Sequence, residues 1–275
     1  MLSVKKPGTG KAKHIISRDK EKEVLRACKK LGSMATNYIV GCSAGVSAST
    51  AGRIINKYRP KQKNNPAKQP EIKVKWGKLH TCWSIDTLTV KLAGGIKAYL
   101  QLILEERSRC ILSSQLIMKK SGKKSAGLIR ATIHAFNLAP LVLKHDRGSE
   151  FMNSDVQGLL KNYRILPLVS PYRYPPYNGK LENTNRLIRK YMSRTRPMSY
   201  EKTEALVKEA VCYINEEMPR AIFEGRTSKE IYSAGIYFKE SCRRRFTWLV
   251  KKHMDKFMKN KKRKMSRATA YRKAI

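Results

Sequence analysis

Two short stretches, His80-Thr-Cys-Trp-Ser-Ile-Asp86 and Pro140-Leu-Val-Leu-Lys-His-Asp146, decide the fold of this chain. Each is a short run that reads as a strand and ends in an aspartate, which is typical of a strand that delivers a carboxylate. A third acid, Glu182, lies early in a helical stretch at 178–191, and 35 residues separate it from Asp146. The pattern therefore predicts three carboxylates carried by three separate elements.

Carboxylates that converge from separate elements suit metal-dependent phosphoryl transfer. Mg²⁺ and Mn²⁺ prefer oxygen ligands, and two such ions about 4 Å apart can support in-line displacement at a phosphate. For any single acid at a strand end, the alternative is a carboxylate that caps a turn. Because all three acids occur in this order and at this spacing, we favour a metal site formed by Asp86, Asp146 and Glu182.

The motifs around these acids resemble those of DDE transposases and retroviral-type integrases. Asp146 is followed by Arg-Gly-Ser-Glu-Phe, and Glu182 begins the run Glu-Asn-Thr-Asn-Arg-Leu-Ile-Arg-Lys-Tyr, which is most similar to bacterial insertion-sequence transposases. The resemblance covers residues 72–235. The sequence departs from the family at Arg147, where Asn is usual, and at 105–107, where a turn containing Asp is usual.

The resemblance implies an RNase H-like fold and a transposase that cuts at the ends of its element and joins the 3′ ends to target DNA. It implies Asp86, Asp146 and Glu182 as catalytic residues that bind two Mg²⁺ or Mn²⁺ ions per active site. Double-stranded DNA, both element ends and target, is the expected partner. A homodimer or a higher oligomer on DNA is the expected assembly.

The order of predicted elements indicates an α/β core. Strands are predicted near 80–91, 95–105, 110–118, 140–146 and 165–169. Helices are predicted near 123–137, 154–163, 178–191 and 204–215. Antiparallel strands first and helix-linked strands later give a mixed five-stranded sheet flanked by helices. The predicted division is a helix-turn-helix domain at 1–58, a basic linker at 59–73, the catalytic core with trailing helices at 74–235 and a basic C-terminal tail at 236–275.

The charge of the chain identifies a class of partner. Fifty-nine Lys and Arg against 20 Asp and Glu give a formal charge of +39, which favours a polyanion because phosphate contacts release counterions. A ribosomal or histone-like protein is the alternative, but 41% hydrophobic residues in long strand and helix patterns argue against it. No apolar run reaches the roughly 18 residues of a membrane span, and the six cysteines occur singly. We therefore expect a cytoplasmic, nucleoid-associated bacterial protein.

Residues 17–57 have the pattern of a helix-turn-helix. Ser17, Ser33 and Ser47 are predicted N-caps of three helices, Gly41 a small residue at a helix crossing and Gly45 the turn. In the third helix, Tyr58 is predicted to face inward with the aliphatic residues. The predicted DNA contacts on its outer face are Ser49, Thr50, Arg53 and Asn56. An ordinary three-helix bundle without base contacts is the alternative.

A second set of predicted DNA contacts surrounds Glu182. Arg186 and Arg189 follow it by four and seven residues and so share its helix face. The full set is Asn178, Lys180, Arg186, Arg189 and Lys190. A solvated basic face is the alternative.

Other ionisable residues near the three acids are interpreted as structural. Glu150 is assigned to the loop after Asp146, and His145 to the opposite face of its strand. Glu105 and Glu106 are expected to pair with Arg107 or Arg109.

Two other functions compete with the transposase. A regulator derived from a transposase would use the DNA-binding regions without catalysis, and the three acids argue against it. An RNase H-like nuclease would hydrolyse DNA without joining it, and it would use the same site because water and a 3′-hydroxyl are alternative nucleophiles.

Overall fold

The computed structural model describes residues 16–58, 75–171, 175–259 and 266–275. They belong to two compact units, Met1–Asn65 and Pro66–Ile275. The predicted linker at 59–73 lies outside the described residues. In the part of the chain that is described, no helix combines the length and the apolar character that crossing a bilayer requires.

In the first unit, the described residues form the helices α1 (Arg18–Leu31), α2 (Asn37–Ser43) and α3 (Ala48–Tyr58). Gly45, at φ 61°, forms the turn between α2 and α3, as predicted. A Cβ at Gly41 would lie 2.7 Å from the Val46 carbonyl oxygen, so this approach requires glycine. Aliphatic side chains from all three helices form the core: Val24, Val40, Ala44, Ala51, Ile54 and Ile55.

The caps of this unit agree with the prediction at two helices and differ at the third. The Ser17 hydroxyl accepts from the Lys20 amide at 3.3 Å, and the Ser47 hydroxyl from the Thr50 amide at 3.1 Å. Helix α2 is capped by Thr36, not by Ser33, because residues 32–34 form a 3₁₀ turn first. Tyr58 is also not inward: it is 54% exposed, and its hydroxyl donates to Glu21 at 2.9 Å.

The second unit is built on a mixed five-stranded sheet, as predicted. Its strands are β1 (Cys82–Lys91), β2 (Lys97–Glu105), β3 (Ile111–Ile117), β4 (Val142–His145) and β5 (Leu166–Val169). Their order in the sheet is β3-β2-β1-β4-β5. The hairpins β1–β2 and β2–β3 are antiparallel, whereas β4 pairs in parallel with β1 and with β5.

The register between β1 and β4 brings Asp86, in the middle of β1, close to Asp146, which follows β4. Cys82 pairs with Val142 and Ser84 with Lys144, a constant offset. Continued by two residues, the same offset sets Asp86 beside Asp146. Neighbouring strands lie about 4.8 Å apart, so the two carboxylates project from adjacent backbone positions.

Helices cover the sheet. They are α4 (Gly122–Phe136), α5 (Ser149–Met152), α6 (Ser154–Asn162), α7 (Gly179–Met192), α8 (Tyr200–Cys212) and α9 (Ser228–Ser233). Trp83, Ile129, Leu143, Phe151 and Leu159 belong to one buried cluster that joins β1 and β4 to α4, α5 and α6. Helix α7 packs on β1 and α8 on β3.

The segment 236–275, expected to be a basic tail, contains two helices, α10 (Cys242–Lys259) and α11 (Arg267–Ala274). Phe246 of α10 and Ile275 pack against a buried cluster that includes Val142 and Leu168 of the sheet. The Arg243 side chain is buried and donates to the carbonyl oxygens of Ala139 and Pro140 at 2.7 and 2.8 Å. The composition of this segment, rich in Lys and Arg, did not indicate these few inward-facing side chains.

Candidate active site

Asp86 lies on β1, half-buried between the sheet and α7. Its Oδ1 accepts from the Thr87 amide at 2.8 Å, and its Oδ2 accepts from the Asn185 Nδ2 at 2.7 Å. The pKa of Asp86 is raised from 3.8 to about 6, chiefly because burial removes water from the carboxylate, with a further contribution from the nearby Asp146. The hydrogen bonds from Thr87 and Asn185 partly oppose this rise. The fold therefore holds a carboxylate where its charge is unfavourable without a cation.

Asp146 follows β4 directly and turns the chain. Its Oδ1 accepts from the Gly148 amide at 2.8 Å. A Cβ on Gly148 would lie 2.9 Å from that Oδ1 and 2.8 Å from Glu150 Oε2. The glycine thus leaves room for the carboxylates of Asp146 and Glu150, which both lie against this turn.

Glu150 is the third acid close to this pair. Its side chain is only 5% exposed and forms an ion pair with Lys120 at 2.9 Å. Burial alone would raise the pKa of Glu150, but the hydrogen bonds from Lys120, from its own backbone and from Thr87 outweigh burial and lower it. Glu150 is therefore a charged acid paired with Lys120, and it lies in the short helix α5 instead of in the predicted loop.

Glu182 lies in the first turn of α7 and is exposed. The structure does not bring it onto Asp86 and Asp146: among the described residues, no three His, Cys, Asp or Glu side chains form a group that would hold a metal ion. The three predicted acids therefore comprise a pair fixed by the sheet and a third residue on an adjoining helix. Their joint role as catalytic residues and metal ligands stays a prediction.

Asn185 is the residue of this site that the sequence did not reveal. It lies three residues after Glu182 on α7, is buried, and reaches across to Asp86. Its Oδ1 is also buried and has no hydrogen-bond partner among the residues that the structure describes. The available signal was a polar residue on the buried face of α7, beside Leu181 and Ile188.

A buried ion-pair network holds the start of α7. Glu106, next to the end of β2, lies 2.6 Å from the Lys144 Nζ and 3.0 Å from the Lys180 Nζ. Lys180 also donates to the Glu106 carbonyl oxygen, and Lys144 to the Tyr177 carbonyl oxygen just before α7. Burial alone would raise the pKa of Glu106, but the two lysines outweigh burial and lower it.

This network corrects the expected pairing of Glu105 and Glu106 with Arg107 or Arg109. Glu105 instead accepts from Ser108 and from the His80 amide. Lys180, predicted to contact DNA, has its ammonium group engaged by Glu106.

The other predicted DNA contacts lie on two surfaces that belong to different units. Arg186 and Arg189 are exposed on α7, Lys190 is half-buried, and Asn178 accepts from the Ser170 hydroxyl at 2.9 Å. In the first unit, Ser49, Arg53 and Asn56 are exposed on α3 and Thr50 is half-buried. Their contacts with DNA stay predictions.

The chemistry of the donor set fits a divalent cation. Two adjacent carboxylates supply hard oxygen ligands, and a cation between them would remove the repulsion that helps to raise the pKa of Asp86. The unpartnered Asn185 Oδ1 adds a neutral oxygen beside Asp86. Glu182 is the one predicted ligand that must move towards the pair.

A family model matches part of the chain. Residues 78–175 match the family model of the integrase core domain, a range that includes Asp86 and Asp146 and ends before Glu182. No curated protein matches the chain in sequence.

Solved structures show a likeness of fold. The simian T-cell lymphotropic virus intasome, in complex with the PP2A regulatory subunit B56γ, is 17% identical at a TM-score of 0.52, covering 76% of this chain and 74% of that one. The HTLV-2 integrase catalytic core domain in complex with magnesium is 17% identical at 0.46, covering 56% and 97%. The BIV integrase core is 20% identical at 0.43, covering 56% and 94%.

Proposed function

We propose that this chain is a transposase of the DDE transposase and integrase family, because residues 78–175 match the integrase core domain. It binds the ends of a mobile DNA element, cuts the DNA there and joins the 3′ ends to target DNA, in the cytoplasm at the bacterial nucleoid. The observation that carries the proposal is the adjacent pair Asp86 and Asp146, joined through Asn185 to the helix that bears Glu182.

The chemistry requires divalent cations, and the chain offers residues to hold them. Asp86, Asp146 and Glu182 would bind two Mg²⁺ or Mn²⁺ ions, which supply charge neutralisation and activation of water or a 3′-hydroxyl. The HTLV-2 core was solved in complex with magnesium. Asn185 and the Gly148 amide keep the two aspartates oriented, and the Glu106 network positions the start of α7.

DNA binding is assigned to basic and polar surfaces outside the acid pair. In the first unit, exposed Ser49, Arg53 and Asn56 on α3 suit a recognition helix in the major groove. Beside the acids, Arg186 and Arg189 would contact phosphates of the strand being cut. We also propose a homodimer or higher oligomer on DNA; the HTLV-2 core occurs in dimeric and trimeric forms.

One observation favours a second candidate, a DNA-binding regulator without catalysis. Glu182 is exposed, and the described residues contain no three-acid metal group. A regulator would retain the basic surfaces and the family fold, but it would lack three acids close enough together to hold a metal ion. The two candidates predict opposite results in one experiment.

The experiment uses the full chain with a duplex that contains the DNA flanking its coding region and a supercoiled target plasmid. In Mg²⁺ or Mn²⁺ we expect cleavage at defined positions, followed by joined products, and excess EDTA should remove both. Activity that persists in EDTA, or no cleavage of flanking DNA in either metal, contradicts the transposase. Cleavage without joined products would identify a hydrolysing nuclease.

Glu182→Gln decides whether the exposed glutamate belongs to the site. It should abolish cleavage and joining while leaving DNA affinity unchanged. The matched control is Glu204→Gln, which removes a partly exposed acid on α8 that forms an ion pair with Lys208 at 3.6 Å. Equal activity of the two variants would exclude Glu182 as a ligand.

A further inference from the structure

A basic groove lies between the α6–β5 corner and α10, away from the acids. Its volume is about 610 Å³. The apolar floor comes from Leu160, Ile165 and Leu166, and one wall comes from α10. It borders the start of β5, whereas Asp146 follows the end of β4, so the two sites lie at opposite ends of parallel strands.

Arg243 fixes the wall that α10 contributes. Its buried guanidinium donates to Ala139 and Pro140 before β4, and it pairs with Glu240 at the start of the helix. These contacts attach α10 to the loops that precede β4 and β5. The position of this wall is therefore fixed by contacts within the second unit.

The charges of the groove have one sign. Its polar lining includes Lys161 and Arg164 on one side and Arg244 and Lys251 on the other, and no acid is among its lining residues. Trp248 stands at the groove with 56% of its surface exposed. The ammonium group of Lys252 lies 4.8 Å from the centre of the Trp248 ring. A concave, cationic surface with an exposed indole is complementary to a polyanion.

We propose that this groove binds the sugar-phosphate backbone of duplex DNA, as a contact separate from the catalytic acids. Lysine and arginine on both walls can neutralise successive phosphates, and the indole packs against the sugar edge. Lys252 covers one face of the Trp248 ring, which favours contact with the backbone over stacking on an extruded base. The distance along β4 from Pro140 to Asp146 is roughly 20 Å at 3.3 Å per residue.

This inference adds a DNA contact to the proposed function and does not depend on catalysis. A DNA segment in the groove would be held by the second unit even where the first unit makes no contact. The same Asp86→Asn variant that stops cleavage should therefore retain this interaction, so failure of the catalytic proposal and failure of this one are distinguishable.

The fluorescence of Trp248 can report on binding in the groove. Of the three tryptophans, Trp83 is fully buried and Trp76 is partly buried against a core cluster, whereas Trp248 is exposed. When the full-length Asp86→Asn protein is titrated with a random-sequence duplex, tryptophan emission should change and acrylamide quenching should fall. Trp248→Phe should remove this response.

Affinity measurements distinguish binding in the groove from a general effect of positive charge. Lys161→Ala/Lys251→Ala removes one cation from each wall and should lower the affinity for the duplex about 5- to 10-fold at low salt. It should also make the slope of log affinity against log salt shallower by about 2, one for each lost phosphate contact. Lys256→Ala/Lys259→Ala is the charge-matched control, because both lysines are exposed on α10 and do not line the groove.

Four results would overturn the proposal. The duplex could leave Trp248 fully accessible to acrylamide, the two double variants could lose affinity equally, or poly-glutamate could protect Trp248 better than the duplex does. An emission change that follows protein concentration without DNA would equally assign the groove to a second copy of the chain.

Discussion

The sheet and helix α7 place their carboxylates by different means. Asp86 and Asp146 are fixed by strand register and by backbone amides, so their positions follow from the hydrogen bonds of the sheet itself. Glu182 is exposed, and its position depends on how α7 is attached, through Asn185 at the acid pair and Lys180 at Glu106. The sheet half of the site is thus preformed, whereas the helix half depends on side chains that hold the helix in place.

The largest expected effect tests whether both halves belong to one site. Asp86→Asn and Asp146→Asn should each lower cleavage at least about 1,000-fold, as expected when a metal-ligand charge is lost from a phosphoryl-transfer site. Single-turnover cleavage of the flanking-DNA duplex measures this loss.

Asp155→Asn provides the control for these two variants. Asp155 is exposed in the first turn of α6, away from the acid pair. Its variant should cleave at the normal rate. If Asp86→Asn or Asp146→Asn also cleaved normally, the acid pair would have no catalytic role.

The sheet half was predictable from sequence because its signals are local. A strand-like run that leads to an aspartate identifies both strand and acid, and the order of strands sets their adjacency. The five strands occur within two residues of their predicted bounds, and β4 ends at His145, which leaves Asp146 in the turn.

The helix half was not predictable because its contacts join distant parts of the chain. Asn185 meets Asp86 across 99 residues, and Lys180 meets Glu106 across 74. Lys180, beside the predicted active site, suggested a contact with DNA. Its partner Glu106 lies at the end of a hairpin, where the charged residues were expected to pair with their neighbours in sequence. The same limit applied to Arg243, whose partners lie about a hundred residues earlier.

The second prediction concerns the Glu106 network. Glu106→Gln leaves two lysine ammonium groups near a neutral amide in a buried position, and breaking a buried ion pair on one side costs about 3 kcal/mol of unfolding free energy. Urea unfolding followed by tryptophan emission measures this change. Because α7 loses its anchor, cleavage should also fall.

Glu216→Gln is the matched control for the network. Glu216 faces Lys229 at 3.9 Å, and both side chains are about half exposed, so the substitution should cost less than about 0.5 kcal/mol. Equal losses in the two variants would mean that the network contributes no special stability.

The third prediction tests the link between the halves. Asn185→Ala removes the amide that holds Asp86 to α7, and loss of such an orienting partner should lower cleavage about 10- to 100-fold and raise the Mg²⁺ concentration needed for half-maximal rate. Asn183→Ala on the same helix, whose side chain accepts from Arg186, should leave the Mg²⁺ requirement unchanged. A parallel shift in both variants would indicate a general effect on α7.

The smallest expected effect is a difference in stability between two variants that should both be inactive. The raised pKa of Asp86 means that its charge opposes folding at neutral pH, so Asp86→Asn should stabilise the metal-free protein by about 1 kcal/mol. The new amide also faces Asn185, which can turn its unpartnered Oδ1 towards it and keep the hydrogen bond. Glu182 is exposed, so Glu182→Gln should leave the metal-free stability unchanged. Urea unfolding of both variants in EDTA measures the difference, and adding Mn²⁺ should stabilise the wild type more than either variant. If Asp86→Asn were instead destabilising, the acid pair would be held by favourable contacts, and the idea of a preformed site under electrostatic repulsion would be wrong.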